Sequence, residues 1–221
     1  MSFDKSIIDK IPEQDINSTM EYLFPTAISI TQKNRKTTLQ WSKDITEWAS
    51  DKFKENKNNG TMIYSFLHKE SVLNPVCNFV DNCVNNYIKE LKYPDEYECT
   101  ESWAHDYRIN SYQQWHAHAG NVISAVYIVW ARPYVDSNLW FKNPVEDLSN
   151  PYNITPNTSP KQLSEVFHYT QYPQYGYPSI PGCCYVFRSS LFHSTEIKLN
   201  TDRRLVLAFN YNRKKSTKKT K

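Results

Sequence analysis

The period of the apolar residues changes near residue 97, and that change limits the folds open to this chain. Upstream, Leu39, Trp41, Ile45, Trp48, Ala49 and Phe53 recur at helical spacing within TTLQWSKDITEWASDKFKEN. A second helical run is expected at 71–91, where Val72, Val76, Phe79, Val80, Cys83, Val84, Tyr87, Ile88 and Leu91 recur at three and four. Pro75 falls in its first turn, where a missing N–H costs little, and Tyr93-Pro94-Asp95 stops it. Downstream the pattern is that of strands: 98–110, 112–118, 122–130, 138–142, 164–170, 183–187, 194–199 and 203–211. A further short strand is begun by Pro25 in EYLFPTAISITQ. Many short strands with two helices imply a mainly β domain, a sandwich or partly open barrel, with the helices packed on one sheet face. With only 4 Gly in the chain, the turns between strands must draw on Asn, Asp, Pro and Ser. The 16 Tyr, 10 Phe and 6 Trp can supply core area where aliphatic residues are scarce.

Residues 1–20 read as a polar lead-in and 21–212 as one domain, with helical support at about 34–92 and a β core at about 97–211. The stretch 143–162 holds four Pro and no period, which suits a lid or substrate loop. Residues 213–221 carry six Lys or Arg and no apolar side chain, a solvated tail or a non-specific phosphate contact. A net charge of +3 gives no other support for a nucleic-acid partner. No apolar run is long enough for a membrane span and the N-terminus lacks a signal core, so no membrane association is expected. Five cysteines, an odd number without a C-x-x-C pair, fit reduced thiols and a cytoplasmic setting, the host cytoplasm if the source is viral. Adjacent Cys183 and Cys184 read as small buried hydrophobes on opposite faces of a strand.

Two histidines stand two apart in QQWHAHAGN. On an extended chain His116 and His118 face the same side, so both can reach one metal while Ala117 points away. A third ligand must come from elsewhere, and His193, at a turn between two expected strands, can supply it. Three protein ligands with open positions suit non-haem Fe(II), and three histidines suit zinc as well. Arg204 opens the strand LVLAFN, and its planar fork suits a carboxylate; Arg203 must face the other way. The bland alternative is an H-x-H on a polar strand face with Arg204 in a surface ion pair. His68, His105 and His168 read as ordinary surface or satisfied core residues.

The stretches SWAHDYRINSYQQWHAHAGNVISAVYIV and FRSSLFHSTEIKLNTDRRLVLAFN resemble the 2-oxoglutarate- and Fe(II)-dependent oxygenases. They are most similar to a small bacterial and phage group with the signature H-x-H-P-x-S…L-S-G-V-Y-Y, then L-F-P-S-x-x-x-H, then R-x-S-x-x-F-N. The resemblance spans roughly 22–211. It implies a double-stranded β-helix, or jelly roll, with N-terminal supporting helices. It also implies Fe(II), 2-oxoglutarate as cosubstrate, and O₂. On this pattern His116 and His193 are metal ligands, and His118 is the third, where the wider superfamily has Asp or Glu. Arg204 matches the residue that grips the distal carboxylate of 2-oxoglutarate. Ser124 and Tyr127, in the strand that follows, match further cosubstrate-side positions. Three departures stand out: Ala125 replaces a Gly, Val206 replaces the Ser of R-x-S, and Ala119-Gly120 replaces a Pro-containing turn. Tyr107 or Tyr112 can replace the missing hydroxyl. In place of His118, Asp106 or water can complete the metal site. The activity implied is a hydroxylase whose substrate is open among protein side chains, metabolites and nucleobases. The alternatives are a three-His dioxygenase of the cupin type that needs no keto acid, and a jelly-roll binding or structural module without activity.

Overall fold

The structure is a computed structural model, and it describes residues 18–23, 26–55, 62–64, 66–144 and 174–215. Among the described residues, eleven strands form two antiparallel sheets. The major sheet has the order β1-β2-β9-β6-β11-β4-β3. Its strands are β1 (Thr19–Leu23), β2 (Thr26–Gln32), β3 (Met62–Tyr64), β4 (Tyr97–Tyr107), β6 (Ile123–Trp130), β9 (Cys183–Arg188) and β11 (Arg204–Arg213). The minor sheet has the order β5-β10-β7-β8, from Gln113–His116, His193–Thr195, Leu139–Lys142 and Gln174–Tyr177. The two sheets face each other, which gives the expected jelly roll.

Helix α1 spans Arg35–Glu55 and α2 spans Asn74–Glu90. Asn34 opens α1 by accepting the Thr37 N–H on its Oδ1 at 2.9 Å, a side-chain cap. Pro75 lies in the first turn of α2, as its fixed φ favours. The apolar stripe of α2, with Val76, Val80, Val84 and Ile88, is buried against the major sheet. Each such side chain stabilises the fold by about 1.5–3 kcal/mol.

Strand alternation sorts the major sheet into two faces. Ala125, Tyr127 and Val129 of β6 join Leu205, Leu207 and Phe209 of β11 in the core beneath the helices. Val126 and Ile128 of β6 join Tyr185 and Phe187 of β9 and Phe141 of β7 in the core between the sheets. With both faces covered, every residue of β6 is buried. That accounts for the unbroken apolar run ISAVYIVW where a half-exposed strand would alternate.

Several expectations shift. The lead-in is shorter than expected, because β1 pairs with β2 from Thr19↔Ile30 onward. The strand expected at 194–199 ends at Thr195. Beyond it Lys198 turns inward and reaches Asp136 Oδ1 at 2.6 Å, while Ile197 and Leu199 are exposed. Their apolar alternation therefore mimics a strand without a sheet to cover it. Strands β3 and β8 were not expected. The strand expected at 164–170, most of the loop 143–162 and the tail beyond 215 lie outside the described residues. Among the described residues no helix is long and apolar enough to cross a membrane.

Candidate metal centre

His116 closes β5 and pairs directly with His193 of β10. Directly opposed residues in an antiparallel pair hold their Cβ atoms about 4.5–5.5 Å apart, so this pairing alone brings two imidazoles together. Their ring centroids are 4.2 Å apart. His118 lies just past the end of β5, so the strand expected at 112–118 stops short of it. Its backbone N–H donates to Ser189 O at 2.9 Å, which folds the chain back and puts its ring 5.1 Å from His116 and 5.0 Å from His193. One ligand nitrogen from each histidine lies within 4.8 Å of the others.

The tautomers suit a metal. His116 Nδ1 donates to Gln114 O at 2.8 Å and His193 Nδ1 to Leu191 O at 2.9 Å. Carbonyl oxygens only accept, so in both rings Nδ1 carries the hydrogen and Nε2 keeps its lone pair. His118 Nδ1 donates to Asn210 Oδ1 at 2.6 Å. The orientation of that amide follows from its other end, where Nδ2 donates to Glu101 Oε2 at 2.9 Å. Burial pushes the His193 pKa down to about 3, with the His116 ring adding to the effect. Burial lowers the His118 pKa too, against the upward pull of Asn210. Both are therefore neutral imidazoles at neutral pH, the state that binds metal.

Arg204 shares a cavity of about 330 Å³ with the three histidines. Its side chain is 1% exposed. Arg204 Nε donates to Ser179 Oγ at 3.1 Å, and the guanidinium lies 4.3 Å from the centre of the Tyr107 ring. It has no acidic partner among the described residues, and its buried Nη1 has no hydrogen-bond partner. A buried guanidinium with an unused N–H, facing a cavity, is matched by a carboxylate that enters there.

The expected cosubstrate residues separate. Tyr107 lies on the cavity wall beneath Arg204, where it offers its ring face. Ser124 faces the cavity side of β6, but its hydroxyl donates to Asn210 Oδ1 at 2.8 Å and lies 3.1 Å from His118 Nδ1, so it supports the ligand cluster. Tyr127, three residues on, is on the opposite face. It packs against Trp41 and Phe79 beneath the helices, away from the cavity. Tyr112 is 49% exposed and lines a separate surface cleft with Trp115 and Trp140, so it does not meet Arg204. Asp106 is not a ligand candidate either. It pairs with Arg203 at 3.1 Å, and Arg203 bonds Ser50 Oγ of α1 at 2.8 Å, on the helix side of the sheet.

Four residues of the site were not anticipated. Ser179, brought in just after β8, accepts from Arg204 and donates to Ser137 O at 2.8 Å. It stands beside the arginine where Val206 offers no hydroxyl. His105 stacks on Tyr107 with ring centroids 3.8 Å apart, and burial with the nearby Arg204 charge pushes its pKa down to about 4. Asn210 and Glu101 stand behind His118. Alternation along β11 from Arg204 predicts 206, 208 and 210 on the cavity face, and β4 register places His105 across from Val206. Ser179 carries no comparable signal. His68 lies outside the histidine cluster, with its Nε2 3.1 Å from Asp81 Oδ2, and His168 lies outside the described residues.

Comparison with known proteins agrees with this geometry. Residues 101–210 match a family profile described as "Putative 2OG-Fe(II) oxygenase". No curated protein matches the chain by sequence. Among solved structures, apo HygX from Streptomyces hygroscopicus superposes with a TM-score of 0.57 at 12% identity, covering 85% of this chain and 83% of its own. A prolyl-4-hydroxylase from Pseudomonas putida superposes with a TM-score of 0.55 at 12% identity, covering 95% of this chain and 98% of its own. HygX has also been solved with nickel and 2-oxoglutarate bound. Identities this low speak for the fold alone, and the profile match covers the segment that holds the three histidines and Arg204. Through residues 101–210, which hold the three histidines and Arg204, this chain is similar to the 2OG-Fe(II) oxygenase family.

Proposed function

We propose that this protein is a 2-oxoglutarate- and Fe(II)-dependent hydroxylase. His116, His118 and His193 would hold the iron through Nε2, and Arg204 would hold the distal carboxylate of 2-oxoglutarate. The observation that carries this reading is the buried guanidinium of Arg204, without an acidic partner among the described residues, in the same cavity as the three clustered histidines. A dioxygenase that binds its substrate on a three-His metal without a keto acid has no use for that group. A binding module without activity has no use for the set of matched tautomers. The family-profile match and a structural neighbour solved with 2-oxoglutarate support the same cosubstrate.

Iron in such a site supplies activation of O₂, coupled to oxidative decarboxylation of the keto acid and hydroxylation of a C–H bond. The chain's own groups do the positioning. Ser179 and the Tyr107 ring hold the Arg204 fork, so little side-chain freedom is lost when a carboxylate binds. Val126, Leu139, Val206 and Ala208 line the cavity with apolar surface, which keeps the local dielectric low and strengthens that charge pair. His105 and His193, held neutral by burial, add no competing positive charge.

Anaerobic addition of 2-oxoglutarate to the Fe(II)-loaded protein should give the weak visible charge-transfer band of a keto-acid chelate. In air it should release succinate without added substrate. A metal-loaded protein that shows neither band nor succinate would sink the keto-acid reading. Oxygen uptake that ignores both 2-oxoglutarate and Arg204 substitution would favour the cupin type instead.

A further inference from the structure

His118 occupies a position where a carboxylate would bring negative charge to the metal, and imidazole brings none. The structure puts a carboxylate one amide away. Glu101 of β4 pairs with Asn210 of β11, and Asn210 pairs in turn with Ser124 of β6. Glu101 Oε2 accepts from Asn210 Nδ2 at 2.9 Å and from Asn121 Nδ2 at 3.2 Å. Asn210 Oδ1 accepts from His118 Nδ1 at 2.6 Å and from the Ser124 hydroxyl at 2.8 Å. Ser189 Oγ lies 2.8 Å from Ser124 Oγ and completes the chain. The Asn210 amide is thus held at both ends, and its side chain is 2% exposed. Among the described residues, Glu101 makes no ion pair with Lys or Arg.

We infer that Glu101, acting through Asn210, is a positioning residue that gives His118 part of the donor strength of an anionic ligand. The physical basis is polarisation along a hydrogen-bonded chain. A carboxylate that accepts from the amide N–H makes the amide oxygen a stronger acceptor. That oxygen draws on the Nδ1–H of His118 and makes Nε2 a better donor to a metal. An acid at 210 itself would stand against Glu101, so the amide is the group that can join the two. The bland alternative is an edge carboxylate that merely satisfies two amides.

This inference rests on the reading of His118 as a ligand, so the test separates the two. Glu101→Gln keeps an oxygen for Asn210 Nδ2 and removes only the charge. The double variant E101Q/N210D exchanges acid and amide and puts the carboxylate directly behind His118. Fe(II) affinity is measured anaerobically by competition with a chromophoric chelator, alongside the absorption of the Co(II) form and melting of the metal-free protein. Glu101→Gln should weaken Fe(II) binding about tenfold, in the range typical of groups behind metal ligands. It should shift the Co(II) bands and leave metal-free melting unchanged, because Glu101 is exposed. The exchange variant should recover the affinity. Wild-type affinity in Glu101→Gln, or an exchange variant as weak as the single one, overturns the inference. If the wild type binds Fe(II) no better than His118→Ala, the ligand reading itself fails.

Discussion

Replacing Arg204 by methionine separates a cosubstrate anchor from a structural arginine. Arg204 is 1% exposed, donates a hydrogen bond to Ser179, rests on the Tyr107 ring and leaves Nη1 without a partner. The ring contact is worth about 2 kcal/mol when desolvated. A hydrogen bond from a charged group is worth about 1.5–3 kcal/mol. Burying the charge costs several kcal/mol, so the two sides nearly cancel. Methionine of similar length should then leave the ligand-free stability within about 1.5 kcal/mol of wild type. Bound 2-oxoglutarate changes the balance. A buried guanidinium–carboxylate pair broken on one side costs about 3–5 kcal/mol. At about 1.4 kcal/mol per decade, Kd for 2-oxoglutarate should rise by about two to three and a half orders of magnitude. The assay is thermal melting with Co(II), with and without 2-oxoglutarate at 100 times the wild-type Kd. That concentration stabilises the wild type by about 2.7 kcal/mol. For a chain of this size the shift is about 5–11 °C. Arg204→Met should melt near the wild-type temperature without 2-oxoglutarate and show almost no shift with it. A variant that keeps the full shift, or one that loses most of its ligand-free stability, refutes the reasoning.

Three further outcomes are expected. Ser179→Ala frees Arg204 Nε and should raise the Kd for 2-oxoglutarate about tenfold, with Fe(II) affinity unchanged in the same chelator competition. Tyr127→Phe removes a buried hydroxyl with no partner, so urea unfolding should show equal or higher stability, by up to about 1 kcal/mol, at unaltered succinate release. An equal loss of 2-oxoglutarate binding in that variant would return Tyr127 to the site. For pH, the folded-state values of His105 and His193 lie near 4 and 3, below the ordinary value of 6.5. Between these limits the unfolded chain binds the protons, so stability is full above about pH 6.5 and declines as pH falls, by about 1.4 kcal/mol per unit for each histidine. Melting of metal-free His105→Phe should depend less steeply on pH than wild type between pH 6 and about 4, and identical slopes would contradict the assignment.

The parts of this protein that a local period controls were legible in its sequence. The two helices follow from apolar recurrence at three and four, and β6 and β11 from short apolar runs between turn residues. His116 and His118 follow from two-residue spacing, and Arg203 facing away from Arg204 from strand alternation. The same alternation argues against Tyr127. It is an odd number of residues from Ser124, so the two cannot share a face, and β6 puts Tyr127 under Trp41. Tyr107 passes that test because β4 register sets it beside Arg204. What the chain did not disclose depends on contacts between distant segments. Ser179 reaches Arg204 from 25 positions away through a turn with no period, and nothing local marks it. Lys198 looks like a polar break in a strand, yet it is fully buried on Asp136 because two loops close over it.

Asn210 lies between these cases, and it shows how a site of this kind is built. Its place on the cavity face follows from counting by two from Arg204, so the strand that carries the buried arginine at one end carries an amide at the other. What that amide does depends on β4 and β6, which flank β11 and bring Glu101 and Ser124 to the same level. The pairing of β5 with β10 supplies two imidazoles, and the major sheet supplies the hydrogen bonds that orient the third. A metal at this position would therefore bridge the two sheets of the jelly roll. Metal binding should then stabilise the contact between the sheets as well as the ligands themselves. In hydrogen exchange, added Fe(II) should protect the amides of β5 and β10 more than those of β2, which lies far from the site in the major sheet. Protection spread evenly over both sheets would mean that the metal acts on global stability alone and does not clamp the seam.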